Sequence, residues 1–266
     1  MRVLATFLLL SLTLTSGLVH AMIPDEAYEY PTTRFTQVLS QSVVDGHVNY
    51  AFLAESDQLE AYWHYVSSEN VDRFESEEET LAFYINAYNA LSIKGILKGR
   101  SPKNYFGKIR FFYSDKYDIA GERINLYNFE HKVIRPLGEP RIHFALVCSA
   151  NSCPKLRPEA YTAATLDKQL DENTIEFIND QSKNWFDTEE KVAHLSKIFD
   201  WFTEDFTADG LSLQQYIAQY VSDDKVAALL REDAFKIKYN KYDWGLNGSF
   251  DNPTPAPTDK QTASAN

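Results

Sequence analysis

The sequence predicts an α+β fold: a single globular domain, mainly helical, with a small central sheet. Three observations point there. Apolar residues recur at helical spacing in several separate segments. A few shorter runs are alternating or uniformly apolar over strand length. The helical segments cluster with strands set between them, and no internal repeat appears, which argues against an alternating βαβ chain.

The first 21 residues, MRVLATFLLLSLTLTSGLVHA, place Arg2 before an apolar stretch and end on Val19-His20-Ala21. That is the pattern of a secretory signal peptide. The stretch from Val3 to Leu14 is short for a membrane span. The mature chain is therefore expected to begin at Met22, with no stable membrane anchor, in a periplasmic or secreted setting where disulfides persist. Residues 22–34 lack periodicity and read as a loose lead-in.

Within the domain, VVDGHVNY carries a turn at Asp45-Gly46. SEEETLAFYINAYNALSIKGILKG is the strongest helix: Ser76 and Glu79 have capping-box spacing, Leu81, Tyr84, Ile85 and Tyr88 share a face, and Gly99 closes it. KIRFFYSDKYDIAGERINL reads as a strand pair turning at Ala120-Gly121. NLYNFEHKVIRP is a short helix that must end near Pro136. RIHFALVC has the length and apolarity of a buried strand. Three further helices follow in TLDKQLDENTIEFIND, SKIFDWFTEDF and LSLQQYIAQYV, the last opened by Ser212 and Gln215. AFKIKYNKYDWGLN begins as a half-buried strand. Residues 251–266 are Pro/Thr-rich without a large apolar residue and are expected to be a disordered tail.

Charge narrows the function. The chain carries 26 Lys+Arg and 38 Asp+Glu, net −12. Loss of residues 1–21 removes only Arg2, so the mature chain stands at −12 − 1 = −13. Such a chain is ill-suited to nucleic acid or anionic membrane surfaces, which leaves a small molecule or peptide as the expected partner. No Walker loop, dinucleotide fingerprint, nucleophile elbow or two-His zinc helix is present, so no cofactor is expected. Aromatic residues make up 14% of the chain, enough for a large aromatic core.

Both cysteines fall in HFALVCSANSCPKLRP. Three readings stand. A Cys148–Cys153 disulfide would close a short loop and add about 2 kcal/mol in the chain-entropy model. A catalytic thiolate at Cys148 would need an imidazole or helix N-terminus to lower its pKa. A zinc site could use His143, Cys148 and Cys153, with His131 or Glu130 as fourth ligand. If residues 142–148 form a strand, His143 and Cys148 point to opposite faces, about 16 Å apart at ~3.3 Å per residue. That weakens the dyad and the metal and favours the disulfide, and no metal is expected. Glu130 and His131 are adjacent on a helix and diverge by about 100°. Asn86 and Asn89 share a helical face, either as a polar cleft wall or bonded to loop backbone. Arg141 and Arg157 flank the Cys segment and could clamp an anion or pair with acidic residues.

These stretches resemble the family catalogued as domain of unknown function 547, which includes exported bacterial members. The resemblance is carried by DGHVNY, AFYINAYNALSI, INLYNFEH, PRIHFALVCSANSCPKLRPEAYTAATLDKQLD, LSKIFDWFTEDF and KYDWGLN, in the family's order; the family domain is expected over residues 35–250. It implies membership and no activity. It marks Asn86, Tyr88, Asn89, Glu130, His131, Arg141, His143, Cys148, Cys153, Pro154, Arg157, Asp243, Trp244 and Asn247 as motif positions, and leaves His194 outside.

Two expectations follow. One is a ligand- or partner-binding module whose Cys148–Cys153 disulfide shapes a loop at its cleft, with Asn86, Asn89, Arg141 and Arg157 as binding residues. The other is a thiol-dependent hydrolase or acyl transferase with Cys148 as nucleophile and His143, Glu130 or His131 in acid–base roles.

Overall fold

The computed structural model describes residues 31–251. The signal stretch, residues 22–30 of the lead-in and residues 252–266 of the tail lie outside the described residues. The fold is α+β and mainly helical, as expected. Among the described residues the strands form three small separate sheets rather than one central sheet.

Helix α1 (Pro31–Ser42) begins inside the segment expected to be loose, burying Phe35, Val38 and Leu39 at helical spacing. The hairpin of β1 (Val43–Val44) and β2 (His47–Asn49) turns at Asp45-Gly46, both left-handed. Helices α2 (Tyr50–Ala54) and α3 (Asp57–Ser68) follow.

Helix α4 (Glu77–Leu97) is the axis of the domain. Ser76 accepts from the Glu79 N–H, while the Glu79 carboxylate reaches back to the Glu75 N–H rather than to Ser76. From Leu81 onward α4 is buried on nearly all sides, as a helix surrounded by other elements must be. Gly99, at φ +71°, ends it in a conformation that favours glycine.

The stretch expected as the first half of a strand pair is helical: α5 (Tyr105–Lys108) runs into a π-turn over Ile109–Ser114. The strands are β3 (Lys116–Ile119) and β4 (Glu122–Asn125), with the expected turn at Ala120-Gly121. Helix α6 (Leu126–Phe129) continues as a π-turn (Glu130–Ile134), then a 3-10 turn containing Pro136, and stops at Gly138.

Residues 142–148 are not a strand. Pro140–Phe144 form a 3-10 turn capped by Glu139, and the chain then runs irregularly to helix α7 (Leu166–Asn179). Beyond it lie β5 (Trp185–Asp187), β6 (Val192–Leu195), α8 (Lys197–Trp201), α9 (Thr203–Phe206), α10 (Leu213–Ile217), α11 (Asp224–Arg231), β7 (Lys236–Tyr239) and β8 (Gly248–Ser249). The Ser212/Gln215 capping box on α10 is reciprocal. Strand β7 pairs parallel with β6, and β8 pairs parallel with β2. Gly248 lets the β8 backbone press on β2, since a Cβ there would sit 2.0 Å from the Val48 carbonyl oxygen. Among the described residues no helix is long and apolar enough to cross a membrane.

Candidate functional site

An irregular buried segment must still satisfy its backbone groups. Residues 144–147 do so through amides on neighbouring helices. Asn89 accepts from the Val147 N–H at 2.8 Å and donates to the Ala145 carbonyl at 2.9 Å. Asn173 donates to the Phe144 carbonyl at 3.0 Å. One turn earlier on α4, Asn86 clamps both backbone groups of Tyr161 at 2.8 Å. Asn89 thus grips the chain just before the Cys loop and Asn86 grips it just after, and neither lines the cleft described below. Of the two readings open to them, cleft wall or bonding to loop backbone, the structure shows the second. Asn89→Ala would leave a buried N–H and a buried C=O without partners, and urea unfolding is expected to show a loss of about 3 kcal/mol.

For Arg141 and Arg157 too the structure shows the internal alternative, pairing with acidic residues. Arg141 donates to Glu139 and Asp171 and lies 2.9 Å from Asp167, which ties the 3-10 turn to α7. Arg157 donates to Glu159, Glu172 and Asn173. The abundant acidic residues are their partners, and neither reaches the cleft.

Cys148 and Cys153 are joined as a disulfide, with Cα atoms 6.2 Å apart. A disulfide sulfur has no thiolate to offer, so Cys148 cannot act as the expected nucleophile in this form. The Cys loop turns at Ser149, with φ +61°. It docks on the C-terminal segment through Asn151 N–H to Gly245 O, Ser152 N–H to Asp243 O and the Ala150–Leu246 bridge.

Because residues 140–144 turn rather than extend, strand parity does not separate His143 from Cys148. Both line one cavity of about 360 Å³, together with Glu130, His131, Tyr88 and Cys153. The four residues expected to do chemistry therefore converge. Most of the remaining wall is aromatic: Phe112, Tyr113, Tyr127, Trp201, Phe202, Tyr242 and Trp244. Trp201 is 45% exposed at the rim, and Lys108 Nζ sits 3.7 Å above the Trp244 ring.

The polar groups are tightly organised. Asp205 accepts from Arg135 Nε and Nη2 at 2.7 and 2.8 Å, and lies 2.6 Å from His143 Nε2. Burial pushes the Asp205 carboxyl up, but its hydrogen bonds with His143 and Arg135 outweigh that and hold it well below the usual range. An ionised Asp205 can only accept, so Nε2 of His143 carries the proton and Nδ1 is left with the lone pair. His143 is stacked on Phe202 at 3.9 Å; burial lowers its pKa against the opposing pull of Asp205. His131 is likewise pushed down by burial; its ring stacks on Tyr127 at 3.9 Å, with Nδ1 3.0 Å from the Tyr127 carbonyl. Glu130 accepts from the Tyr88 hydroxyl at 3.2 Å, and desolvation pushes its carboxyl up to about 7.

Among the described residues no three His, Cys, Asp or Glu side chains are grouped to hold a metal ion. His194 stacks on Trp185 at 3.6 Å, on β6. Sequence reasoning missed Asp205, Lys108, Trp201 and Tyr242. Phe202 was legible as part of an apolar stripe, but nothing in TEDF distinguishes Asp205 from Glu204. Asp243, flagged by motif, holds the docked loop by accepting from Asn151 and the Gly245 N–H. Asn247, also flagged, accepts from the Tyr50 hydroxyl at 2.7 Å.

Residues 72–178 match the model of a family described as "Protein of unknown function, DUF547". No curated protein and no solved structure matches the chain.

Proposed function

Residues 72–178 belong to that family of proteins of unknown function, and from this premise we propose that the chain is an exported domain that binds a small molecule in the aromatic cleft. The observation that carries the reading is convergence: Glu130, His131 and His143 meet the disulfide loop in one concave, mostly aromatic space. Flat aromatic walls favour a ligand with a planar apolar body. The Glu130 carboxyl and the His143 imidazole offer a hydrogen bond to its polar end. Export is supported by the pattern of residues 1–21 and by the disulfide.

Thermal-shift screening of a panel of small aromatic acids, phenols and sugars tests the proposal. Ligands at a hundredfold excess over Kd are expected to stabilise the wild type by about 2.7 kcal/mol. Trp244→Ala should abolish the shift. A panel with no stabilising member, or hits that ignore Trp244→Ala, would contradict it.

One observation favours a second reading, general acid–base chemistry on the bound molecule. Burial pushes the Glu130 carboxyl up to about 7, and the same cavity is lined by an imidazole held by Asp205. On that reading Glu130→Gln abolishes turnover and spares binding.

A further inference from the structure

The disulfide has an asymmetry that a simple loop staple does not need. Cys153 is 3% exposed, whereas Cys148 is half-buried, and both line the cleft. The Cys153 sulfur accepts two hydrogen bonds, from the Cys148 N–H at 3.1 Å and from the Tyr242 hydroxyl at 3.2 Å; the same hydroxyl also reaches the Cys148 sulfur, at the longer distance of 3.5 Å. Tyr242 is itself 9% exposed. Two donors aimed at one sulfur are placed where negative charge would develop if that sulfur left.

We propose that Cys148–Cys153 is a redox-active disulfide that exchanges with thiols entering the cleft, with Cys148 as the attacked sulfur and Cys153 as the leaving thiolate. The proposal rests on the cleft being the functional site. An incoming thiolate attacks Cys148 Sγ; a new S–S bond forms, the Cys148–Cys153 bond breaks, and the electron pair leaves on Cys153 Sγ. A second thiol attacks the mixed disulfide at the substrate sulfur. The products are the oxidised dithiol pair of the substrate and the two protein thiols. Two electrons pass from two thiols to one disulfide, and the two thiol protons end on Cys148 and Cys153. Tyr242 is a positioning residue here: its hydroxyl lowers the basicity of the leaving sulfur, which speeds departure.

The test uses the mature, folded chain with dithiothreitol and reduced glutathione as probes, and thiol alkylation read by mass spectrometry. The native disulfide is expected to be reduced without denaturant. Tyr242→Phe should slow reduction about tenfold, the loss of one hydrogen bond to a charged group. In Cys153→Ser the remaining Cys148 thiol should form a mixed disulfide with oxidised glutathione, while in Cys148→Ser the buried Cys153 should not. A disulfide that opens only in denaturant, or a Tyr242→Phe rate equal to wild type, overturns the proposal. Reduction is read without any ligand, so its failure leaves the binding reading standing. A failed ligand screen leaves the exchange chemistry standing.

Discussion

Asp205→Ala is expected to lower stability by about 3 kcal/mol at pH 7, read by urea unfolding. Asp205 is the shared acceptor of Arg135 and His143, and its removal leaves a guanidinium and an imidazole N–H unpaired in a half-buried place. Their side chains are 20% and 2% exposed, so the loss falls between that of a surface pair and a fully buried one. The pH dependence has a definite sign. The folded pKa of Asp205 is depressed, so its contribution is present above the unfolded value of about 3.9 and is lost as pH falls through the folded value. The acid limb of the wild-type stability curve below about pH 4 should therefore flatten in Asp205→Ala. A loss under 1 kcal/mol would show that the triad is not structural.

Glu130→Gln should do the reverse at alkaline pH. The folded Glu130 pKa is raised to about 7 by burial, so its contribution is full below the unfolded value and is lost as pH rises through 7. The shift from 4.5 to about 7 corresponds to roughly 3 kcal/mol. Glutamine keeps the shape and an acceptor for the Tyr88 hydroxyl but cannot ionise. The variant should be about 2–3 kcal/mol more stable than wild type at pH 8 and nearly equal at pH 4.5. His131 and His143, both pushed down by burial, contribute stability that grows as pH rises toward the ordinary imidazole value. Wild type sets these opposing slopes against each other; in Glu130→Gln only the rising one remains, so stability should climb to a plateau near the ordinary imidazole value of about 6.5 instead of falling toward pH 7. Chemical denaturation at half-unit pH steps checks both statements.

Local signals in the sequence recovered the long helix α4, the helical segments around α6, α7, α8–α9 and α10, the caps at Ser76 and Ser212 and the turns at Asp45-Gly46 and Ala120-Gly121, because each depends on residues within a turn of one another; α1 was partly read as loose, and α2, α3 and α11 carried no signal that was read. The segment 142–148 was misread for the opposite reason. Its apolar run fits a buried strand, but its backbone partners are Asn89 and Asn173, distant amides that no periodicity reveals. The parity argument that parted His143 from Cys148 failed with it. The β1–β2 turn, the β3–β4 pair and β7 were legible singly, whereas β5, β6 and β8 were not, and the division into sheets depends on long-range pairings such as β2 with β8. In the site, residue type and spacing singled out Glu130, His131, His143 and the cysteines, and these line one cavity. For Asn86, Asn89, Arg141 and Arg157 the sequence left two readings open, ligand contact or internal pairing, because a positioning residue and a binding residue look alike until their partners are seen. Asp205 was invisible, since its meaning lies wholly in Arg135 and His143 across the fold.

The central claim is that the cleft floor holds a desolvated carboxyl that exchanges its proton near neutrality. Carbon-13 NMR titration of the glutamate side-chain carboxyls, with Glu130→Gln as the assignment control, measures it directly. The account predicts one resonance with a midpoint near 7 that disappears in the variant. Midpoints below about 5 for every glutamate, with none lost from the neutral range in Glu130→Gln, would contradict it.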